Sequence, residues 1–340
     1  MGLTVAIIGA GSWGTALAIL LARQGTKVQI WGRPEDGIEE IREGNEHSRY
    51  LPGVVIPAGI RATASEREVI EGAEAVVFAV PSQALREVIR RFRAYLTASH
   101  LLVNTAKGLE TATMLRLTEV MKQELPERLW SNIAVLSGPS HAEEVARNIP
   151  TAVVAAAESA SVARRVQNIF MGPRFRVYTN PDLAGVELGG ALKNIIALSA
   201  GISDGLGYGD NTRAALITRG LTEIRRLGVS MGAQEVTFFG LSGLGDLVVT
   251  CNSMHSRNRR AGILLGQGVS LPEVLKSIGM VVEGVETTLA AYRLSLQRGV
   301  SMPITAQIYE VLYGGLSPRQ AVDNLMLRAR TSEHESLRWD

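Results

Sequence analysis

Lys193 lies in the stretch Glu187 to Asn211, whose apolar residues Leu188, Leu192, Ile195, Ile196 and Leu198 fall on every side of a helical wheel. A helix that is apolar all round is usually a buried one. An ammonium there is costly without a partner, and burial lowers its pKa toward the range where a lysine can exchange a proton near neutrality. Gly189, Ala197 and Gly201 are spaced four apart with Lys193. The lysine therefore leaves the helix from a face of small residues that allows close approach. The plainer alternative is a structural lysine paired with Glu187 or reaching to solvent.

Three later clusters could serve a small anion. Gly243-Leu244-Gly245-Asp246 sets a carboxylate in a glycine-rich turn, where Asp246 could equally cap a helix. Ser256-Arg257-Asn258-Arg259-Arg260 gathers cations and hydrogen-bonding groups. Arg257 could clamp a phosphate bidentately with Ser256 and Asn258 adding donors, although a solvated basic helix face reads the same way. Glu283 precedes a further helical pattern and most simply serves the positive end of its dipole.

At the other end of the chain, Gly9-Ala10-Gly11-Ser12-Trp13-Gly14 follows an apolar strand, Val5 to Ile8, and leads into a helical pattern from Thr15 to Arg23. That is G-x-G-x-x-G in the setting it needs to bind a dinucleotide. Gly9 permits the turn, Gly11 lets backbone approach a pyrophosphate, and Gly14 lets helix and strand pack closely. The next strand, Lys27 to Trp31, ends in Gly32-Arg33 instead of an acid. Arg33 can pair with a 2′-phosphate, which favours NADP or tolerance of both cofactors, unless Glu35 or Asp36 takes the ribose.

The elements that must position these residues alternate. Strands are expected at Ala75 to Val80, Leu101 to Asn104, Ile133 to Leu136, Thr151 to Ala157 and Arg176 to Tyr178, with Pro81 opening a helix that runs to Arg90. This order implies a parallel sheet covered by helices on both faces, with ligands at the strands' carboxyl ends. Lys107 and the loop Ser137 to Ser140 fall there, and Ser140 with Glu143 reads as a capping box. After Asn180 the pattern turns helical: Pro181 to Ser203, Arg213 to Leu227, Ser256 to Leu265, Leu271 to Ser277, Glu283 to Arg298, Pro303 to Leu312 and Pro318 to Arg330. Residues 1–180 are thus expected to form an α/β Rossmann domain with a doubly wound, mostly parallel sheet. Residues 181–340 are expected to form an all-α substrate-binding domain, with Thr331 to Asp340 polar and frayed.

Composition narrows the class. At 340 residues and 46% hydrophobic content the chain can fill two cores. A net charge of +2 gives no reason to expect nucleic acid or an anionic membrane as partner. The single cysteine, Cys251, rules out an internal disulfide and reads as a small buried hydrophobe. No targeting segment, uninterrupted membrane-length apolar run or metal-ligand spacing stands out, so a cytoplasmic protein with no bound metal is expected.

Together these residues resemble the bacterial NAD(P)-dependent glycerol-3-phosphate dehydrogenases from Val5 to about Arg330. The resemblance is carried by GAGSWGTALA, AVPSQALREV, KGLE, LSGPSHAEEVA, FRVYTNPD, the long block around Lys193, GLGDL, HSRN and VVEGVETT. It implies reduction of dihydroxyacetone phosphate to sn-glycerol 3-phosphate with NADP or NAD, in a homodimer. It further implies that Ser12, Trp13, Arg33, Tyr50, Ala142, Val281 and Glu283 contact the dinucleotide. Lys107, Gly138, Ser140, Asp246, Ser256, Arg257 and Asn258 would contact the substrate, with Lys107 and Arg257 reaching the cofactor as well. Lys193 would be the catalytic proton acceptor. A β-hydroxyacid dehydrogenase of related architecture and an NADPH-sensing regulator are the rival readings.

Overall fold

The computed structural model describes residues 2–43 and 46–333. The described strands are β1 (Thr4–Ile8), β2 (Lys27–Trp31), β3 (Glu46–His47), β4 (Leu51–Val55), β5 (Ile60–Thr63), β6 (Ala75–Phe78), β7 (Leu101–Asn104), β8 (Ile133–Ser137), β9 (Thr151–Ala157) and β10 (Phe175–Asn180). Seven helices accompany them: α1 (Ser12–Arg23), α2 (Ile38–Arg42), α3 (Glu66–Ile70), α4 (Leu85–Phe92), α5 (Leu117–Glu124), α6 (Ala142–Ala146) and α7 (Ala160–Phe170). After Asn180 the regular elements are helical: α8 (Leu183–Gly205), α9 (Asp210–Ser230), α10 (Asp246–Asn252), α11 (Arg257–Gly266), α12 (Leu271–Ile278), α13 (Glu283–Arg298), α14 (Pro303–Tyr313) and α15 (Pro318–Met326). Of the tail expected to fray, residues 334–340 lie outside the described residues.

Eight strands make one sheet in the order β10-β9-β8-β7-β6-β1-β2-β5. Alternate residues of β1 belong to two cores: Val5 and Ile7 pack with α1, Ala6 and Ile8 with Leu85, Ile89 and Met121 of α4 and α5. A strand apolar on both faces requires cover on both. The chain runs outward from β1 through β2 to β5, then returns to β6 on the other side of β1. That reversal opens a crevice at the carboxyl end of β1, where ligands of such sheets bind.

The mostly parallel sheet is the one expected, and details beyond that differ from the sequence expectations. The sheet is parallel except between β8 and β9, which pair antiparallel. Only the five-residue α6 joins them and the link stays at one end of the sheet, whereas a parallel partner needs a full crossover. The sequence reading missed β5 and the β3–β4 hairpin. β5 is too short to show alternation, and Pro52 and Gly53 interrupt β4. α15 stops at Met326, four residues before the expected end. Pro81 opens a 3₁₀ turn, Ser82–Ala84, before α4 begins.

α8 is the axis of the helical part. By length and composition it could cross a membrane, yet it is covered along nearly its whole length by the rest of the protein. Its small-residue face is met by backbone. A Cβ at Gly201 would lie 2.1 Å from the Arg259 carbonyl oxygen, and one at Gly262 would lie 2.2 Å from that of Leu198. α8 and α11 therefore cross at backbone distance. This brings Asn258, in the first turn of α11, against Asn194 of α8, the residue after Lys193.

Candidate active site

Lys193 is buried and its ammonium binds two acceptors, the Asp246 carboxylate and the Thr250 hydroxyl, the latter at 2.7 Å. An ammonium has three donors, so one remains for a ligand. Thr250 donates in turn to the Asp246 carbonyl at 2.6 Å, one turn back along α10. The second Asp246 oxygen accepts from Lys107 at 2.8 Å. Lys107 also donates to the Gly138 carbonyl at 2.8 Å and lies 3.4 Å from the Ser140 hydroxyl. One carboxylate thus holds two ammoniums, one from each half of the chain.

This arrangement sets the charges. Burial drives the Lys193 pKa down and Lys107 pushes the same way, while Asp246 opposes; the balance falls at about 8. Burial alone would raise Asp246, but the two ammoniums outweigh it and hold the carboxyl below its usual range. Glu187 is not the lysine's partner. It accepts from Arg116 at 2.7 Å and from the Thr118 backbone N–H at 2.9 Å instead. Asp246 does not cap α10 either; it is the helix's first residue and its side chain is held by the lysines. Cys251 is buried and its thiol is pushed up to about 12, as befits a packing residue.

Lys193 and Lys107 open onto a cavity of about 1080 Å³ that runs from the glycine loop to Glu283. Gly9, Gly11, Ser12, Trp13, Arg33, Tyr50, Ser140, Ala142, Ser256, Arg257, Asn258 and Val281 line it too. Gly14, Gly138 and Asp246 stand behind its wall. Gly14 packs so tightly on the turn that an added Cβ would lie 1.9 Å from the Gly9 carbonyl oxygen. Gly9 itself has φ +117°, a conformation that favours glycine.

The loop fits a dinucleotide. A Cβ on Gly11 would meet nothing within 4 Å, so space lies open at the start of α1. α1 has no acidic residue in its first turn to neutralise its N–H groups, and the buried Trp13 Nε1 has no partner among the described residues. Farther out, Arg33 is tied to Asp36 at 2.9 and 3.0 Å and lies 3.3 Å from Glu35. Gly32 has a packing reason, since a Cβ there would lie 2.6 Å from that of Ala10.

At the opposite wall, Ser256 caps α11 by accepting from the Arg259 N–H at 3.1 Å. Asn258 donates to Asn194 Oδ1 at 2.9 Å and accepts from the Gly284 N–H at 2.8 Å. Asn194 donates to the Lys107 carbonyl at 3.2 Å, completing a chain of amides from β7 to α13. Burial lowers the Arg257 pKa against the pull of Glu283 and Glu143, and no hydrogen bond or ion pair to its guanidinium occurs among the described residues. Both Glu283 oxygens face Ser82, with the backbone N–H donating at 3.0 Å, rather than only serving the α13 dipole. Burial raises its carboxyl pKa, with the Ser82 contacts opposing.

The capping box at Ser140 does not form. His141 is the N-cap of α6, and the Ser140 hydroxyl donates to the Gly138 carbonyl at 2.8 Å, within reach of Lys107. Sequence reasoning also missed Thr250, Asn194 and Ser82. Thr250 follows Asp246 by four residues, a same-face helical spacing, and Asn194 is a second polar residue in an apolar helix. Nothing in the sequence signalled Ser82, whose partner is 201 residues away.

Residues 4–163 match the N-terminal model of NAD-dependent glycerol-3-phosphate dehydrogenase, and residues 182–323 match its C-terminal model. The chain belongs to the NAD-dependent glycerol-3-phosphate dehydrogenase family. It is 56% identical to glycerol-3-phosphate dehydrogenase (NAD(P)+) of Pelotomaculum thermopropionicum over 98% of this chain and 95% of that protein. It is 52% identical to that of Bacillus subtilis over 98% and 96%. The crystal structure of glycerol-3-phosphate dehydrogenase from Coxiella burnetii is similar, with a TM-score of 0.91, 43% identity, and coverage of 96% of this chain and 99% of that one.

Proposed function

We infer that this protein is an NAD(P)-dependent glycerol-3-phosphate dehydrogenase. It reduces dihydroxyacetone phosphate to sn-glycerol 3-phosphate, reversibly, and supplies the glycerophospholipid precursor. The observation that carries the residue assignment is the Asp246 carboxylate bridging two ammoniums at a cavity that begins at a dinucleotide loop.

The bound dinucleotide supplies the hydride. Gly9, Gly11, Ser12, Trp13 and Gly14 hold its pyrophosphate region, Arg33 and Tyr50 its adenosine end, and Ala142, Val281 and Glu283 further contacts. Lys193 gives its free proton to the C2 oxygen as negative charge develops there, and takes it back in the reverse direction. Lys107 polarises the same oxygen and keeps Lys193 acidic. Asp246 and Thr250 fix the direction of the Lys193 ammonium. Arg257 clamps the phosphate, with Ser256 and Asn258 at the same helix end, and Gly138 and Ser140 complete the substrate wall. Binding energy from the phosphate thereby orients the carbonyl.

Residues 1–180 form the dinucleotide-binding domain in this reading, and residues 181–340 the substrate domain. The enzyme works as a homodimer in the cytoplasm without inserting in a membrane; the covered surface of α8 supports the last point. The test is NADPH and NADH absorbance, side by side, with dihydroxyacetone phosphate and with a panel of keto acids. Oxidation driven by the triose phosphate is expected. A preference for a keto acid would assign the fold to hydroxyacid chemistry, and binding of NADPH without oxidation would make it a sensor.

A further inference from the structure

The roles assigned so far leave His141 unused. Its ring lines the cavity next to Ser140, whose hydroxyl neighbours the Lys107 ammonium. It also meets the ring of His255 at 5.8 Å between centroids. His255 lies directly before Ser256, the cap of the helix that begins with Arg257. His141 therefore lies near the two ammoniums and against the residue that precedes the α11 cap, in the cavity that Arg257 also lines. The Nε2 atom of His141 is buried and has no hydrogen-bond partner among the described residues. Leaving such a group unpaired is costly, so an orphan of this kind calls for a partner from outside the chain.

Resting on the triose phosphate reading above, we propose that His141 is a substrate-binding residue whose neutral imidazole hydrogen-bonds through Nε2 to the phosphoryl group clamped by Arg257. The groups that face the ring are Lys193 of α8, Lys107 after β7, Asp246 of α10 and His255 before α11. Burial, then Lys193, drive its pKa down to about 4 against the pull of Asp246. The ring is thus uncharged at working pH. It adds a hydrogen bond to the phosphate without placing a third cation beside Lys193, which would lower that pKa further.

The test compares His141→Phe, which keeps an aromatic ring against His255, with His141→Gln, which restores an N–H. The readouts are KM and kcat for dihydroxyacetone phosphate, kcat/KM for unphosphorylated dihydroxyacetone, and the affinity for inorganic phosphate by calorimetry. The phenylalanine variant is expected to raise KM and weaken phosphate binding together by about tenfold or more, the usual range for a hydrogen bond to a charged group. Its loss on dihydroxyacetone should be much smaller, and the glutamine variant should recover most of both. Unchanged KM and phosphate affinity in the phenylalanine variant would overturn the assignment, as would an equal loss on both substrates. If the wild type failed to reduce dihydroxyacetone phosphate, the functional reading would fall. The calorimetric comparison would still decide whether His141 holds phosphate.

Discussion

A lysine with a pKa of about 8 can give and take a proton at working pH, and its neighbours tune that value in opposite senses. Reduction needs the protonated form, so kcat/KM for dihydroxyacetone phosphate should fall as pH rises through about 8. Oxidation of glycerol 3-phosphate needs the free amine and should rise over the same range. Lys107→Gln removes a charge that lowers the Lys193 pKa and should move this limb to higher pH; Asp246→Asn removes one that raises it and should move the limb lower. A limb indifferent to both changes would mean that another group titrates. At the far end of the cavity, Arg33 must turn from Asp36 before it can meet a 2′-phosphate. Asp36→Asn should raise the NADPH to NADH preference about fivefold, the scale of an exposed charge pair. An unmoved ratio would show that Arg33 does not read the phosphate.

At the scale of elements, the site depends on how closely α8 and α11 approach. Gly201 and Gly262 leave no room for side chains at the crossing. Gly201→Val should destabilise the protein by about 1–3 kcal/mol or more, as overpacking does, and should also raise KM for the triose phosphate because Arg257 moves with α11. A variant with unchanged thermal midpoint and KM would refute this view of the crossing. Much of this was legible in sequence. The glycine loop between strand and helix, the apolar helix around Lys193 and the helical half all carry local periodicity. The antiparallel β9, the hairpin and the Ser140 turn were not legible. Strand direction depends on how long a link is in space, and the Ser140 hydroxyl faces a local acceptor and a lysine 33 residues away.

For the whole molecule, buried side-chain links tie distant parts of the chain together. Asp246 joins Lys107, Glu283 joins Ser82, and the buried Glu187 joins Arg116 and Thr118 at the start of α5. The sequence pattern marks Lys107, Asp246, Glu187 and Glu283 but not their partners Ser82, Arg116 and Thr118, since nothing local says that Glu187 faces Arg116 and not Lys193. Glu187→Ala would leave Arg116 with Glu119 as its remaining carboxylate and the Thr118 N–H and hydroxyl without their acceptor, and should lower stability by about 1–3 kcal/mol, read by denaturant unfolding. A loss under 1 kcal/mol would mean that the link does not hold the two parts together. What these links serve is the placement of one buried ammonium in the wall of the cavity. The most direct test is single-turnover reduction of dihydroxyacetone phosphate by Lys193→Ala, with NADPH affinity measured in parallel by fluorescence. The expected result is a rate reduced by ~10²–10⁴-fold, the usual range for a lost general acid, with NADPH bound as tightly as before. A rate near that of the unaltered enzyme would contradict the account.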